Sequence, residues 1–550
     1  MTNYAQMVSP RKTPQSEKAH AKQEKNNAGG FSFVVDNWCR LERFLILGAE
    51  SGTYYVGKRD LVKDNFTSLQ ECLAEDGPRT VKTLVDISLG GRAPKNDPAI
   101  FALAVACASE DLETKKAALA AIPKICRIGT HLYDFLNAVQ EFRGWGRGLR
   151  RGVAAWYLEK DAHRLGLQIA KYRQRNGWTH RDVLRKCGGE IPRDAGNQAL
   201  LRYAVSGIDG MGARAVKRGE ATSEYQALDA DSLPKIILGY EKCKTAETAK
   251  EAAKLVRDYR LTHEMVPSEF LKSKDVWDAL LESMPAGALV RNLGRLTANG
   301  NLETFSDGQK KAVAILTDPT IIKKSRLHPI AVLKAMKQYN SGHGGRGKLT
   351  WTPNSKISSA LEDAFYLAFD SIDPCGKNLV VSLDVSGSMS CGTIQGLPGI
   401  SAREASAAMA MVTVRSEPNY EVNAFTGSLT PLNITNKDRL DTVVQKVSRL
   451  PFGRTDCALP MIWAKQSKIP VDAFYIYTDS ETWFGSIHPY QAINEYRQAM
   501  GRDAKLIVVG MTATEFSIAH PHDTGMLDVV GFDTAAPAVM ADFTRQGYSQ

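Results

Sequence analysis

One carboxylate and two hydroxyls stand at alternate positions in Asp384-Val-Ser386-Gly-Ser388, just after the apolar run 379–383. A strand ending in such a loop offers hard oxygen ligands, which suit Mg²⁺ or Mn²⁺ and not a thiolate-seeking metal. Two further loops carry Thr455, in Gly453-Arg-Thr455-Asp, and Asp479, in Tyr475-Ile-Tyr-Thr-Asp479. These loops offer the oxygens of Asp384, Ser386, Ser388, Thr455 and Asp479, each motif a weak signal on its own. The chemistry expected of them is binding, not catalysis. No histidine is placed as a base in these motifs, and no paired carboxylates mark a second metal. Ser386 also lies outside any G-x-S-x-G elbow.

Two arginine-rich stretches suggest a second chemistry. Arg143-Gly-Trp145-Gly-Arg147-Gly-Leu-Arg150-Arg151 leads into a helix-like segment with Trp156 and Tyr157. Lys171-Tyr-Arg173-Gln-Arg175-Asn-Gly-Trp178-Thr-His180-Arg181 runs on to Arg185. Arg147, Arg150, Arg151, Lys171, Arg173, Arg175, Arg181 and Arg185 suit phosphate contacts, and His180 is expected to stack on an unpaired base. Trp156 and Trp178 read as core. The run Gly342-His-Gly-Gly-Arg346-Gly-Lys348 lacks the Ser or Thr and the preceding strand of an ATP-binding loop, and reads as a plain loop. His520 and His522 read as a solvent-facing turn.

The placement of charge bears on the partner. The 550 residues carry a net +10, yet from Pro374 onward 14 Lys and Arg face 17 Asp and Glu. The part before Pro374 is thus +13, and a polyanion, nucleic acid first, is its expected partner. The rhythm of the chain changes at the same place. From about residue 31 to 369, apolar residues recur at helical spacing in short runs, which predicts stacked helix pairs of the solenoid kind. After Pro374, strand-like and helix-like stretches alternate. That predicts a parallel, doubly wound sheet, with its ligand site outside the strands' carboxyl ends, where Asp384 and Asp479 fall. Residues 1–30, rich in Lys, Gln and Asn, are expected to be a disordered tail. No apolar run is long enough for a membrane span, and the N-terminus lacks a signal-peptide centre. The nine scattered cysteines form no C-x-x-C pair, so reduced thiols and a cytoplasmic location are expected.

The five metal-type residues, in their order along an alternating α/β region, resemble the metal-ion-dependent adhesion site of a von Willebrand factor A domain. The resemblance implies that Ser386, Ser388 and Thr455 touch Mg²⁺ (or Mn²⁺) through hydroxyls, with Asp384 and Asp479 acting largely through water. Helical repeats followed by such a domain resemble the Ro autoantigen family, a TROVE module joined to an A domain. The segments that carry this likeness include Arg40-Leu-Glu-Arg-Phe-Leu-Ile-Leu-Gly48, Gln174-Arg-Asn-Gly-Trp178, Arg291-Asn-Leu-Gly-Arg-Leu-Thr-Ala-Asn299, Thr455-Asp-Cys-Ala-Leu-Pro-Met-Ile-Trp463 and Gly525-Met-Leu-Asp-Val-Val-Gly-Phe-Asp533. The likeness covers nearly the whole chain from about residue 30. It implies a multidomain fold: an all-α ring of HEAT-like repeats over 31–369, then an α/β doubly wound A domain over 370–550. It also implies a non-enzymatic, monomeric RNA-binding protein that holds Y RNA on its outer basic surface. Single-stranded 3′ ends of misfolded noncoding RNAs would enter the central hole, in RNA quality control and stress survival within a ribonucleoprotein. An exoribonuclease is a candidate partner. The alternative is a metal-dependent adhesion scaffold without physiological RNA.

Overall fold

The computed structural model describes residues 12–49, 52–192, 196–208, 232–345, 348–369, 372–391, 394 and 399–546. The helical region starts at Asn37–Leu47 and ends with Ser355–Leu367. Short polar residues start many of its helices by accepting from orphan backbone donors. Asp111 accepts from Thr114 N, Asp161 from Arg164 N, and Thr179 forms a capping box with Asp182. Successive helices pack in an array, Asp97–Cys107 on Gly129–Phe142 and Leu112–Ile125 on Arg147–Leu158, around buried residues such as Trp156 and Trp277. The long helix Lys58–Gly90 is kinked at Asp76, just before Gly77 and Pro78. Pro78 has no N–H to give the helix, and a side chain at Gly77 would begin 1.8 Å from Thr114 Oγ1.

Strands β1 (Gln23–Lys25) and β2 (Phe31–Val34) pair antiparallel near the start of the chain. A two-residue hairpin, β3 (Gln174–Arg175) and β4 (Trp178–Thr179), turns at Asn176 and Gly177, both at positive φ, as an Asn-Gly turn requires. The α/β domain holds β5 (Leu379–Asp384), β6 (Tyr420–Phe425), β7 (Leu429–Leu432), β8 (Ala473–Thr478), β9 (Lys505–Gly510), β10 (Phe516–Ser517) and β11 (Met526–Val530). Its six-stranded sheet runs β11-β9-β8-β5-β6-β7, parallel except for β7 on the edge. β5, β8 and β9 are buried along their whole length, which is why they read as near-continuous apolar runs. The chain steps from β5 to β6 on one side and later returns to place β8 on the other. The strand order therefore reverses between β5 and β8, and Asp384 and Asp479 stand at that crevice.

Residues 12–30 are not a disordered tail. They strap across the α/β domain, and β2 pairs with β10 as well as with β1. Gln15, Gln23 and Asn26 are buried, each satisfied by a distant polar group. Gln15 Nε2 donates to Asp456 Oδ1 at 2.6 Å, Gln23 Nε2 meets His488 Nδ1 at 3.1 Å, and Asn26 Nδ2 donates to Thr482 O at 2.7 Å. Composition misleads here because burial runs through paired amides, which leave no apolar periodicity. Residues 1–11 lie outside the described residues.

The helical array begins and ends on the same α/β domain. Near its start, Arg43 Nη2 donates to both carboxylate oxygens of Asp528, at 2.7 and 2.8 Å. At its end, Arg415 of the α/β domain pairs with Glu362 at 2.6 Å, and Lys337 pairs with Glu404. His328 Nε2 lies 3.1 Å from Arg92 O and 3.0 Å from Phe532 O, tying the early helices, the late helices and the sheet domain together.

Candidate functional site

The oxygen-rich set lies where β5 and β8 end, and all five residues are buried. Ser386 N donates to Asp384 Oδ1 at 2.9 Å, and the Ser386 and Ser388 hydroxyls are 3.1 Å apart. Thr478 Oγ1 donates to Asp384 Oδ2 at 2.7 Å. Ser480 adopts φ 62°, and the chain turns so that Glu481 N donates to Asp479 Oδ1. Thr455 is held beside that loop, its carbonyl accepting from Phe484 N at 3.0 Å. Burial, and then the nearby Asp479 charge, raise the Asp384 carboxyl above its ordinary range, and burial raises Asp479.

Whether a cation suits these residues is decided by what they lack. Among the described residues, Thr455 Oγ1 is buried with no hydrogen-bond partner, and two close carboxylates share a buried crevice. A hard divalent ion would satisfy the orphan hydroxyl and offset both charges. Among the described residues, no three or more His, Cys, Asp or Glu side chains are grouped to hold a metal. The set here is instead two carboxylates and three hydroxyls.

Sequence reasoning missed the groups that support this cluster. Glu481 is a third buried carboxylate, pushed up to about 8 by burial and by the Asp479 charge. Its oxygens accept from Asn27 Nδ2 at 2.7 Å and Ala28 N at 3.2 Å. Ser32 Oγ donates to Ser480 O at 2.9 Å, and a side chain at Gly30 would begin 2.1 Å from Thr482 O. The N-terminal strap thus pins the loop that carries Asp479. Tyr55, from the helical region, faces Ser388, Asp479 and Asp384. Only tertiary proximity could have found these residues, since nothing local in the sequence links positions 15–55 to 479–485.

The basic stretches form one surface. Helices Arg147–Leu158 and His180–Cys187 pack against each other. Arg147, Arg150 and Arg151 share one exposed face at helical spacing, as do Arg181 and Arg185. Among the described residues, Arg147, Arg150, Arg173, Arg181 and Arg185 have no carboxylate within ion-pair distance. Arg151 pairs with Glu190 at 3.0 Å and Arg175 with Asp134 at 2.7 Å, both while still exposed. Lys171 pairs with Glu264 at 3.2 Å, with its side chain only 14% exposed, so it offers less to a ligand. Arg173 and Arg181 line a groove of about 340 Å³ with Tyr203, Tyr240 and Lys244. Lys186, 5.7 Å over the Trp145 ring, and Lys244, 4.6 Å over the Tyr240 ring, were missed. Lys186 sits beside Arg185 and was legible, whereas Lys244 reaches the groove only through the fold. Trp178 is half-buried against Trp145, with ring centroids 6.0 Å apart, while Trp156 is fully buried. Arg346 of the Gly-rich run lies outside the described residues.

His180 lines the floor of that groove but is buried beneath its surface. It is 3% exposed, its Nδ1 is 2.9 Å from Tyr157 OH, and its ring stacks on Trp156 with centroids 6.0 Å apart. The capping box at Thr179 aims position 180 into the core, so an imidazole there packs and does not stack on a base. Burial pushes His180 down to about 4, and burial does the same to His131 and His328. The unfolded chain takes up these protons near pH 6.5, before the folded one does. Stability present above that pH is therefore lost as pH falls from about 6.5 toward 4, by about 2 kcal/mol per histidine at pH 5. Urea-melt midpoints at pH 7 and pH 5 check this. Equal midpoints would place these imidazoles in water.

Comparison with known proteins decides the family. The TROVE domain profile matches residues 24–341, and the Ro60 vWA domain profile matches residues 378–544. The chain belongs to the Ro family. The RNA-binding protein RO60 of Deinococcus radiodurans is 40% identical over 547 residues, 99% of this chain and 99% of its own. The RNA-binding protein RO60 of Caenorhabditis elegans is 34% identical over 589 residues, 96% of this chain and 91% of its own. The crystal structure of the Deinococcus radiodurans RO (RSR) protein matches with a TM-score of 0.66 and 39% identity, covering 93% of this chain and 99% of that one. Against the Ro profiles, residues 12–23 of the strap precede both matched regions, yet they hold part of the A-type domain together.

Proposed function

We propose that this Ro-family chain is a non-enzymatic RNA-binding protein of noncoding-RNA quality control. The arginine surface built by the helices Arg147–Leu158 and His180–Cys187 carries the reading. It presents several guanidinium groups with no carboxylate partner among the described residues, on one side of a packed helix pair, which suits a phosphate backbone. Its curated relatives are named RNA-binding proteins. A structured Y RNA would lie on that surface, and single-stranded ends of misfolded RNAs would be a second class of ligand. A monomeric ring, a cytoplasmic location and an exoribonuclease partner complete the proposal. Among the described residues, no helix is long and apolar enough to cross a membrane. The alternative of an adhesion scaffold without RNA leaves the arginine surface with no role. Gel-shift titration with a transcribed Y-type RNA tests the reading, and salt-insensitive binding or no binding would reject it.

Mg²⁺, with Mn²⁺ as second choice, is part of the same proposal. Ser386, Ser388 and Thr455 would hold it through hydroxyls, and Asp384 and Asp479 would balance its charge. When bound, it supplies a Lewis-acidic centre that favours an anionic oxygen from a ligand. Adding Mg²⁺ to EDTA-treated protein should stabilise the fold by about 2.7 kcal/mol at 100 times Kd. Asp384→Asn should abolish that rise. A melting temperature indifferent to both ions would remove the cation from the proposal.

A further inference from the structure

The mouth of the hydroxyl–carboxylate crevice is rimmed by aromatic rings and an arginine, which the cation site alone does not require. Phe452 is 73% exposed, and its Cδ2 lies 3.8 Å from where a side chain at Gly387, between Ser386 and Ser388, would begin. Arg454 is exposed, with its guanidinium 4.7 Å from the Phe484 ring and 5.9 Å from the Trp483 ring. Trp483 N and Phe484 N both donate to Thr455 O, so these rings are fixed beside a candidate ligand. On the helical side, Tyr55 faces Ser388, and Tyr54, 57% exposed, stands edge-on to it with centroids 4.9 Å apart. Three loops from two domains thus surround one crevice with planar groups.

Leaving a phenylalanine in water forgoes about 1.5 to 3 kcal/mol of burial, so Phe452 is costly unless something covers it. A nucleobase covers such a ring well, since base–aromatic stacking contributes about 1 to 3 kcal/mol per base. A cation held mainly by neutral hydroxyls favours an anionic oxygen, and a stacked guanidinium suits a second one. A phosphodiester chain with splayed bases meets all three demands. An acidic peptide supplies the oxygen but no planar group for Phe452 and Tyr54.

We propose that this rim binds a segment of single-stranded RNA, with a phosphate oxygen toward the cation, bases on Phe452 and Tyr54, and Arg454 on a neighbouring phosphate. The proposal rests on the Mg²⁺ reading above, and it places RNA on the A-type domain as well as on the helices. The test uses full-length protein and a ten-residue oligouridylate carrying 4-thiouridine, with crosslinked peptides mapped by mass spectrometry. In Mg²⁺, crosslinks should fall in the peptides holding Tyr54 and Phe452–Arg454, and EDTA should remove them. Phe452→Ala and Arg454→Ala should each weaken crosslinking there roughly tenfold, with Mn²⁺ affinity by calorimetry unchanged. Mn²⁺ binding without rim crosslinks overturns this proposal and leaves the metal reading standing. Absence of Mn²⁺ binding overturns both. A deca-glutamate peptide that binds only with the cation and excludes the oligouridylate overturns the RNA assignment in favour of an acidic partner.

Discussion

Replacing Arg150, Arg181 and Arg185 together by alanine is expected to weaken binding of a structured Y-type RNA by on the order of 100-fold at low salt. The slope of log affinity against log salt should fall by about 2 to 3, since each lost phosphate contact removes 0.7 to 0.9. All three side chains are exposed, and among the described residues none has a carboxylate partner, so the fold should be untouched. The matched control is Lys171→Ala with Arg175→Ala, whose ammonium and guanidinium already face Glu264 and Asp134. That pair should cost less affinity, because part of each charge is spoken for. His180→Ala should behave differently again, lowering thermal stability by opening a cavity beside Trp156 and Tyr157. Gel-shift titrations from 50 to 200 mM salt, with melting curves on the same samples, separate the three outcomes. An unchanged salt slope in the triple variant would place the RNA elsewhere on the protein.

Arg43→Ala is expected to destabilise the protein by about 3 to 5 kcal/mol, the range for stranding one partner of a buried ion pair. The Arg43 side chain is 1% exposed and that of Asp528 12%. Besides the pair with Asp528, Arg43 Nη1 donates to Thr514 O at 2.7 Å and Phe516 O at 2.9 Å, so its loss also leaves two carbonyls short. The side chain joins the first helix of the array to β11 across 485 positions of sequence. Removing both charges, as Arg43→Met with Asp528→Leu, should recover much of the loss, because neither charge is then left alone in the interior. Chemical denaturation midpoints of the two variants check this. Equal loss in both would show that the hydrogen bonds to Thr514 and Phe516, and not the charge pair, hold the domains together.

The Arg43–Asp528 pair also explains part of what was legible. Arg43 lies in Arg40-Leu-Glu-Arg-Phe-Leu-Ile-Leu-Gly48 and Asp528 in Gly525-Met-Leu-Asp-Val-Val-Gly-Phe-Asp533, two of the segments by which the chain resembles the Ro family. Asp533 of the second segment binds Arg92 through both carboxylate oxygens. Those segments identified the family, but their residue types alone do not say that they meet. The helical and α/β regions were readable because helices repeat every 3.6 residues and buried parallel strands are continuously apolar. The hairpin at Asn176 and Gly177 carried a readable turn signal, though it is too short to show periodicity.

His180 and the N-terminal strap were misread for opposite reasons. His180 sits among arginines in sequence, yet a helix starting at Thr179 turns it inward while Arg181 and Arg185 turn outward. Gln15, Gln23 and Asn26 look like solvated tail, yet their amides are buried against Asp456, His488 and Thr482. Local composition records the cost of burying a polar group and is blind to a partner more than 400 residues away.

The sequence by itself determined the two element rhythms, the split of charge and the loops that carry the five candidate oxygen donors, because these are set by neighbours in the chain. Only the tertiary structure decided which arginines face outward, that Thr455 Oγ1 is left without a partner among the described residues, and that Tyr55, Glu481 and the strap close around the same crevice. Those outcomes depend on where distant segments come to lie, and burial and pairing are properties of that packing alone.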